Sequence, residues 1–174
     1  MIQKAYGSWP SQIQADRLAT AARRLSQPRM DGESLYWLEG RASEGGRQVV
    51  MQASLESAGA PREFSPASVN VRTRVHEYGG GDFTVHQGRL FYVDFADQRL
   101  YIGGPHGGEA LSLPGPRYAD LVVSPDGRWL FAVEERHVDG AEPDNRLVVF
   151  ELPPAGAATI AQSPSVVAEG FDFY

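Results

Sequence analysis

The sequence contains no cysteine, and it has no long hydrophobic run. The lack of cysteine excludes disulfide frameworks, thiolate zinc sites and cysteine nucleophiles. The longest apolar stretches, such as residues 129–133, are far shorter than the ~20 residues that a membrane-spanning helix requires. Residues 1–7 also lack the apolar region of a secretory signal peptide. We therefore expect a cytoplasmic protein with no membrane partner.

Basic residues are outnumbered by acidic ones. Lys and Arg total 16 against 22 Asp and Glu, which gives a formal net charge of −6. Such a chain lacks the basic surface that binds nucleic acid, so we expect no nucleic-acid partner. Hydrophobic residues make up 42% of the 174 residues, enough for one domain with its own core. The 19 Gly and 12 Pro indicate many turns and favour a β-rich protein.

The N-terminal segment, residues 1–23, carries a single helix signal. Ser11 lies three residues before Gln14, which is the spacing of a capping box. Ile13 and Leu18 follow with close to helical periodicity. This pattern predicts a short helix over residues 11–22, which we interpret as a cap over the edge of a sheet rather than as a docking element.

From residue 24 onwards the hydrophobic pattern alternates, as it does in strands. One layout recurs three times: a turn that contains glycine, an aromatic-rich strand, a polar loop and another strand. Glycine supplies the positive φ that tight hairpins require, and aromatic and β-branched residues suit a pleated, half-buried surface. The turn glycines are Gly32, Gly88 and Gly127, and the aromatic strands after them are residues 34–39, 89–94 and 128–134.

Each aromatic strand is expected to be the second of four. Four short strands that recur about every 40 to 55 residues are typical of propeller blades. The sequence therefore predicts an all-β fold, a partial β-propeller of about three four-stranded antiparallel blades over residues 24–174, with a β-sandwich as the alternative. The predicted first strands are residues 24–27, 82–85 and 121–124; the third are 48–53, 99–102 and 146–152; the weaker fourth are 62–65, 109–113 and 158–162.

Three blades are fewer than the ~4–8 that close a propeller. A blade buries its faces only against neighbouring blades, so three alone would leave apolar faces exposed. Phe171, Phe173 and Tyr174 at the end of the chain also suggest a further inner strand. We therefore expect an incomplete propeller, which is either a fragment of a longer polypeptide or a module that completes its ring by self-association.

Several short motifs carry a more specific resemblance. They are Tyr6-Gly7-Ser8-Trp9-Pro10-Ser11, Arg24-Leu25-Ser26-Gln27-Pro28-Arg29, Tyr36-Trp37-Leu38-Glu39-Gly40-Arg41, Gly45-Gly46-Arg47, Asn70-Val71-Arg72-Thr73-Arg74-Val75-His76-Glu77-Tyr78-Gly79-Gly80-Gly81, Phe95-Ala96-Asp97-Gln98-Arg99-Leu100-Tyr101 and Arg117-Tyr118-Ala119-Asp120. Together they span nearly the whole chain, and the run from His76 to Gly81 is the most specific. The chain thus resembles the prolyl oligopeptidase family of serine peptidases, in its bacterial dipeptidyl aminopeptidase and acylaminoacyl-peptidase-like branch.

In that family an N-terminal β-propeller precedes an α/β-hydrolase domain with a Ser-Asp-His triad. The resemblance implies that this chain is the first part of the propeller, that its partner is the hydrolase domain of the same full-length polypeptide, and that its substrates are peptides. The sequence itself contains no Gly-x-Ser-x-Gly nucleophile elbow, and none of its four histidines lies near a plausible serine. We therefore expect no catalytic residue here, and the chain alone is predicted to be inactive.

Two further patterns do not predict a cofactor or a metal. Gly79-Gly80-Gly81 precedes a predicted strand, whereas a P-loop continues with Lys and Ser or Thr into a helix. We interpret these glycines as a place where the backbone approaches another segment closely. His76-Glu77 lacks the second histidine of a zincin motif. We expect neither a cofactor nor a metal site.

Three segments, residues 74–81, 117–120 and 171–174, each precede the first strand of a repeat, so a propeller brings them to one rim around its central opening. Charged and aromatic groups combine ion pairing with rigid contact area. We expect this rim to face the hydrolase domain or to line the route of the peptide; a polar loop network that holds the blades in register is the alternative. The candidate substrate-gating or domain-interface residues are Arg74, His76, Glu77, Tyr78, Arg117, Tyr118 and Asp120.

Residues 134–144 form a long acidic stretch. Such a cluster can bind the free amino terminus of a peptide, as paired glutamates do in some members of the family, although a solvated loop is the favoured interpretation. The sequence as a whole predicts a propeller portion that gates the access of short peptides to a downstream serine-peptidase site. The alternative is a stand-alone binding module.

Overall fold

A computed structural model describes residues 5, 7, 8, 23–57, 59–172 and 174 of the chain. Within these residues the chain forms twelve β-strands and one short 3-10 helix, Ala42–Glu44. The helix predicted over residues 11–22 lies outside the described residues. The strands make three four-stranded antiparallel sheets, which confirms the all-β prediction.

Each sheet takes its four strands consecutively from the chain, in the order first, second, third, fourth. The first sheet contains β1 (Arg23–Asp31), β2 (Ser34–Arg41), β3 (Arg47–Ser54) and β4 (Arg62–Glu63). The second contains β5 (Phe83–His86), β6 (Arg89–Val93), β7 (Leu100–Gly104) and β8 (Gly107–Ala110). The third contains β9 (Arg117–Val123), β10 (Trp129–Arg136), β11 (Asp144–Glu151) and β12 (Ser165–Glu169).

The predicted position of the fourth strand of the third sheet is wrong. Residues 158–162, predicted as a fourth strand, form an irregular segment with a single parallel bridge between Ser112 and Gln162. Ile160 in this segment is exposed, so the apparent alternation there buries no apolar face. The fourth strand is instead β12, whose Val166 and Val167 are β-branched and suit an extended backbone.

The three sheets lie side by side in chain order with their first strands together. β5 contacts both β1 and β9. Apolar clusters fill the two spaces between neighbouring sheets; Tyr36 and Phe83 belong to one cluster, and Phe91 and Phe150 to the other. The first strands therefore line a common axis and the fourth strands lie outermost, which is the arrangement of a partial propeller.

Two bulges in first strands join each sheet to the next. Gln27 in β1 and Asp120 in β9 both have left-handed backbones, with φ of 52° and 55°. The Gln27 amide donates to Asp82 Oδ2 at 2.6 Å and accepts the Asp82 N–H at 3.0 Å. Asp120 Oδ1 accepts the Gly81 N–H at 2.7 Å, and the Asp120 N–H donates to the Gly81 carbonyl at 2.9 Å. Both bulges thus contact the two residues that immediately precede β5.

The first strands all begin at one end of the axis. Gly81 and Asp120 meet near that end, and at the opposite end the Asp31 carboxylate accepts the Gly88 N–H at 2.6 Å. The segments that link successive sheets, residues 64–82 and 111–116, therefore lie at the first end, which we call the connection end. Because strands alternate in direction, the loop of residues 137–143 after β10 lies there as well.

Candidate functional site

Residues 74–80, which we call the strap, reach the far face of the third sheet. Tyr118 and Glu134 are cross-strand partners on the face that packs against the second sheet. Ala119 and Val133, one position along each strand, therefore lie on the opposite face. Val75 of the strap is buried against these two residues. Since β9 is the innermost strand of its sheet, the strap passes on the axis side of β9 to reach that face.

The glycines at the end of the strap make this path possible. A Cβ at Gly80 would lie 2.9 Å from the Ala119 Cβ, and one at Gly81 would lie 2.9 Å from Asp120 Oδ1. Gly79 has a φ of 86°, which favours glycine. The geometry confirms that these glycines allow a close backbone approach, here to β9.

A buried carboxylate fastens the strap to the sheet. The side chain of Glu135 in β10 is only 2% exposed. Its Oε2 accepts the backbone N–H of His76 at 2.6 Å, and its Oε1 lies 2.6 Å from Nε2 of His137. Nη1 of Arg117 also donates to Glu135 Oε1, at 3.2 Å. These bonds make Glu135 the anchor of the strap.

Arg117 links the anchor to the tip of the strap. Its Nη1 donates to Glu77 Oε1 at 2.7 Å and to the Arg74 carbonyl at 3.0 Å. The hydrogen bond from Arg117 to Glu77 holds the pKa of the Glu77 carboxyl below its usual value. His76 and Glu77 themselves have left-handed backbones, with φ of 54° and 63°, a conformation that is uncommon outside glycine. The tertiary bonds therefore hold a backbone shape that the strap sequence does not favour.

An open cleft of about 490 Å³ lies beside the strap at the connection end. Its described lining residues include four carboxyl groups and no lysine or arginine, and Arg117 donates to two of those carboxylates, so the cleft is acidic. Asn145 lies in its wall; the Asn145 side chain is buried and its Oδ1 has no hydrogen-bond partner among the described residues. The residues that line the cleft are His76, Glu77, Tyr78, Glu135, His137, Glu142, Pro143, Asn145 and Asp172.

Tyr118 is not on the rim surface where the sequence placed it. It is 1% exposed, and its ring packs at 5.5 Å from that of Phe150 in the core between the second and third sheets. Its hydroxyl donates to Glu134 Oε2 at 3.1 Å. Burial and the nearby carboxylate raise the pKa of Tyr118. The cause of the error is that β9 begins at Arg117, so residues 117–120 belong to the strand rather than to a loop before it.

The structure brings the other candidates to the connection end, in different roles. His76, Glu77 and Tyr78 line the cleft, and Arg117 supports it. The Arg74 guanidinium stacks on Phe95 at 4.2 Å, and Asp120 joins the second sheet to the third. Asp172 lies in the segment 171–174 that the sequence placed on the same rim, and it lines the cleft beside the strap. The sequence missed Asn145 as a lining residue, because no pattern in the sequence links it to the strap.

The acidic stretch is divided between two environments. Glu134 and Glu135 belong to β10 and are buried, whereas Glu142 lies in the loop that borders the cleft. Among the described residues, no group of three His, Asp or Glu is placed to hold a metal ion. Over the same part of the chain, no helix is long and apolar enough to cross a membrane.

Fold and cleft together define a partial β-propeller with an acidic cleft at the end of its axis, and solved structures of peptidases share this fold. The chain is 33% identical to a puromycin-hydrolyzing peptidase of Mycobacterium tuberculosis, with a TM-score of 0.78 over 98% of this chain and 28% of that one. A puromycin hydrolase is 27% identical, with a TM-score of 0.72 over 91% of this chain and 26% of that one. A mutant of puromycin hydrolase complexed with PGG is 26% identical, with a TM-score of 0.72 over 84% of this chain and 24% of that one.

These similarities confirm the resemblance to the prolyl oligopeptidase family. The chain is similar to an N-terminal propeller part of such peptidases, and it spans about a quarter of their length. No protein-family model matches the chain, and no curated protein matches it.

Proposed function

We propose that the chain is a propeller portion of a cytoplasmic peptidase, and that its connection end controls the access of short peptides to an α/β-hydrolase active site. The strap is the observation that carries the proposal. It lies on the axis side of β9 and is packed through Val75, so in a closed ring it would narrow the central opening at that end. A narrow opening admits an extended peptide and excludes a folded protein.

The acidic cleft supports a role in binding the amino group of the substrate. Its carboxylates outnumber the nearby cationic groups, and a protonated amine is the complementary ligand. Glu77 in the cleft accepts a hydrogen bond from Arg117 but has a side chain that is 75% exposed, whereas Glu135 is buried and already accepts hydrogen bonds from His76 and Arg117. Puromycin, which the similar solved peptidases hydrolyse, carries a primary amine next to its amide bond. We infer that this chain handles aminoacyl amides or short peptides with a free amino terminus.

The test uses the intact polypeptide that the gene encodes. We expect it to hydrolyse fluorogenic aminoacyl amides and puromycin, with kcat/KM at least about tenfold lower after N-acetylation, because a charge-assisted hydrogen bond is lost. A preference for the acetylated substrates would contradict amine binding. Absence of hydrolysis from a folded, intact polypeptide would contradict the assignment to a peptidase.

A matched pair of variants tests gating. Val75→Ser loosens the buried contact of the strap, whereas Val167→Ser changes an exposed valine on the outer strand β12. We expect Val75→Ser alone to raise the cleavage of long peptides relative to dipeptide amides. An unchanged ratio would show that the strap does not limit access.

One observation favours a second function, a binding module that closes its ring by self-association. The face of the third sheet turned away from the second exposes Val122, and Phe131 and Val149 on the same face are only half-buried. The size of the 174-residue chain in solution separates the two functions. A uniform symmetric oligomer favours the module, and poor folding or aggregation favours a peptidase portion.

A further inference from the structure

Tyr78 is exposed while the backbone on both sides of it is held. The residue is 79% exposed. The His76 N–H is bonded to Glu135 at 2.6 Å, and the Glu77 carboxylate is bonded to Arg117 at 2.7 Å. On the other side, the Gly79 N–H donates to the Val75 carbonyl at 2.9 Å. The strap thus presents an aromatic ring from a fixed position.

Tyr78 stands between two hollows at the connection end. One is the acidic cleft. The other is a cavity of about 290 Å³ whose lining includes Arg24, Gln48 and Arg72. Because Tyr78 itself lines the acidic cleft, a ligand whose amino group lies there can reach the Tyr78 ring with its adjoining atoms.

We propose that Tyr78 is a specificity-determining residue, which contacts the side chain next to the amino group of the ligand and favours an aromatic one. This inference rests on the proposed function. Aromatic pairs gain free energy beyond the burial of their area, and a tyrosine on a fixed backbone loses little conformational entropy because it has only two side-chain torsions.

Exposure alone does not distinguish Tyr78, because single exposed apolar side chains are ordinary on protein surfaces. Ile160 is 80% exposed, but it lies in the irregular segment before β12 and lines a different cavity. What distinguishes Tyr78 is the held backbone on both sides and the acidic cleft beside it.

Glu135 is a positioning residue in this arrangement. It is bonded to the strap backbone and to Arg117 rather than directed at the ligand. Glu135→Gln should therefore weaken the preference for aromatic substrates by releasing the strap, and it should also speed hydrogen exchange at the His76 amide. A purely structural role would lower the melting temperature and leave the ratio between substrates unchanged.

The experiment compares phenylalanyl and alanyl amides with the intact polypeptide. Tyr78→Ala should raise KM for the phenylalanyl amide about tenfold, with little change in kcat and little change for the alanyl amide. Tyr78→Phe should keep the aromatic preference, because the ring is retained. Ile160→Ala is the surface control and should leave both substrates unaffected.

Two outcomes would overturn the inference while the proposed function stands: an equal effect of Tyr78→Ala on both substrates, or no effect on either. If the polypeptide hydrolyses neither amide, calorimetric binding of phenylalanine amide and alanine amide replaces kinetics. Equal affinity of the wild type for the two amides, or an unchanged affinity ratio in Tyr78→Ala, would then overturn the inference. Failure of N-acetylation to matter would instead count against the proposed function.

Discussion

Glu134 and Glu135 are neighbours in β10 and both are buried, yet they serve opposite faces of the third sheet. Glu134 accepts the Tyr118 hydroxyl at 3.1 Å and Nε of Arg136 at 2.6 Å, on the face packed against the second sheet. Glu135 accepts the strap backbone on the other face. The same residue type thus completes a core on one side and fastens a loop segment on the other.

The two faces also differ in what covers them. The core face buries Leu130, Ala132 and Phe150 against the second sheet. On the opposite face, among the described residues, Val75 of the strap alone joins Ala119 and Val133 in a buried cluster. Local opening is easiest where few apolar contacts must be broken, so the strap face is the part of the sheet in which movement for function costs least.

Substitution at paired core and far-face positions tests this contrast most strongly. Phe150→Ala removes a fully buried ring and should lower the free energy of unfolding by about 4 kcal/mol. Val149→Ala, on the half-buried opposite face, should cost about 1 kcal/mol. Chemical denaturation of both variants measures the difference. Similar losses would show that the two faces are equally well covered.

Gly80→Ala tests the close contact between the strap and β9. The added Cβ would lie 2.9 Å from the Ala119 Cβ, and the required shift should cost about 2 kcal/mol. Gly104→Ala is the matched control, because a Cβ there meets nothing within 4 Å. Differential scanning fluorimetry compares them. An equal change in melting temperature would mean that the strap adjusts without strain.

Substitution of each glutamate by glutamine tests the comparison between the two faces further. Glu135→Gln should cost about 1 kcal/mol and speed hydrogen exchange selectively at strap amides such as that of His76. Glu134→Gln should lower global stability without a selective effect on the strap. Hydrogen exchange measured by mass spectrometry distinguishes the two variants. Faster exchange of the strap amides in both variants would contradict the different roles of Glu134 and Glu135.

The repeat architecture was predictable from the sequence because each hairpin is local. Glycine turns and alternating apolar residues placed eleven of the twelve described strands to within a few residues. The bulges at Gln27 and Asp120 were not predictable, since their left-handed backbones are held by partners in a neighbouring sheet. The burial of Tyr118 and the partners of Glu134 and Glu135 likewise depend on the register of β9 and β10 and on the path of the strap, which the sequence leaves open.

The smallest expected effect is the pH dependence of two carboxyl groups at the connection end. Burial raises the pKa of Asp82 above its usual 3.8, so the folded state binds this proton more tightly than the unfolded state. The contribution of Asp82 to stability is therefore fully present below 3.8 and is lost as the pH rises through the raised pKa. The hydrogen bond from Arg117 lowers the pKa of Glu77 below 4.5. Its contribution is present above 4.5 and is lost as the pH falls through the lowered pKa.

The two groups should therefore give stability differences of opposite sign with pH. Asp82→Asn should remove this contribution to stability. The variant should therefore be less stable than the wild type by the largest margin in acid and by a smaller margin at neutral pH. Glu77→Gln should lose stability at neutral pH and match the wild type in acid. Melting temperatures between acid and neutral pH measure both trends against the parent chain. Stability differences that change in the same direction with pH for the two variants would mean that burial does not determine the pKa of Asp82. The contact between the first two sheets would then be more open to water than the hydrogen bonds between Asp82 and Gln27 indicate.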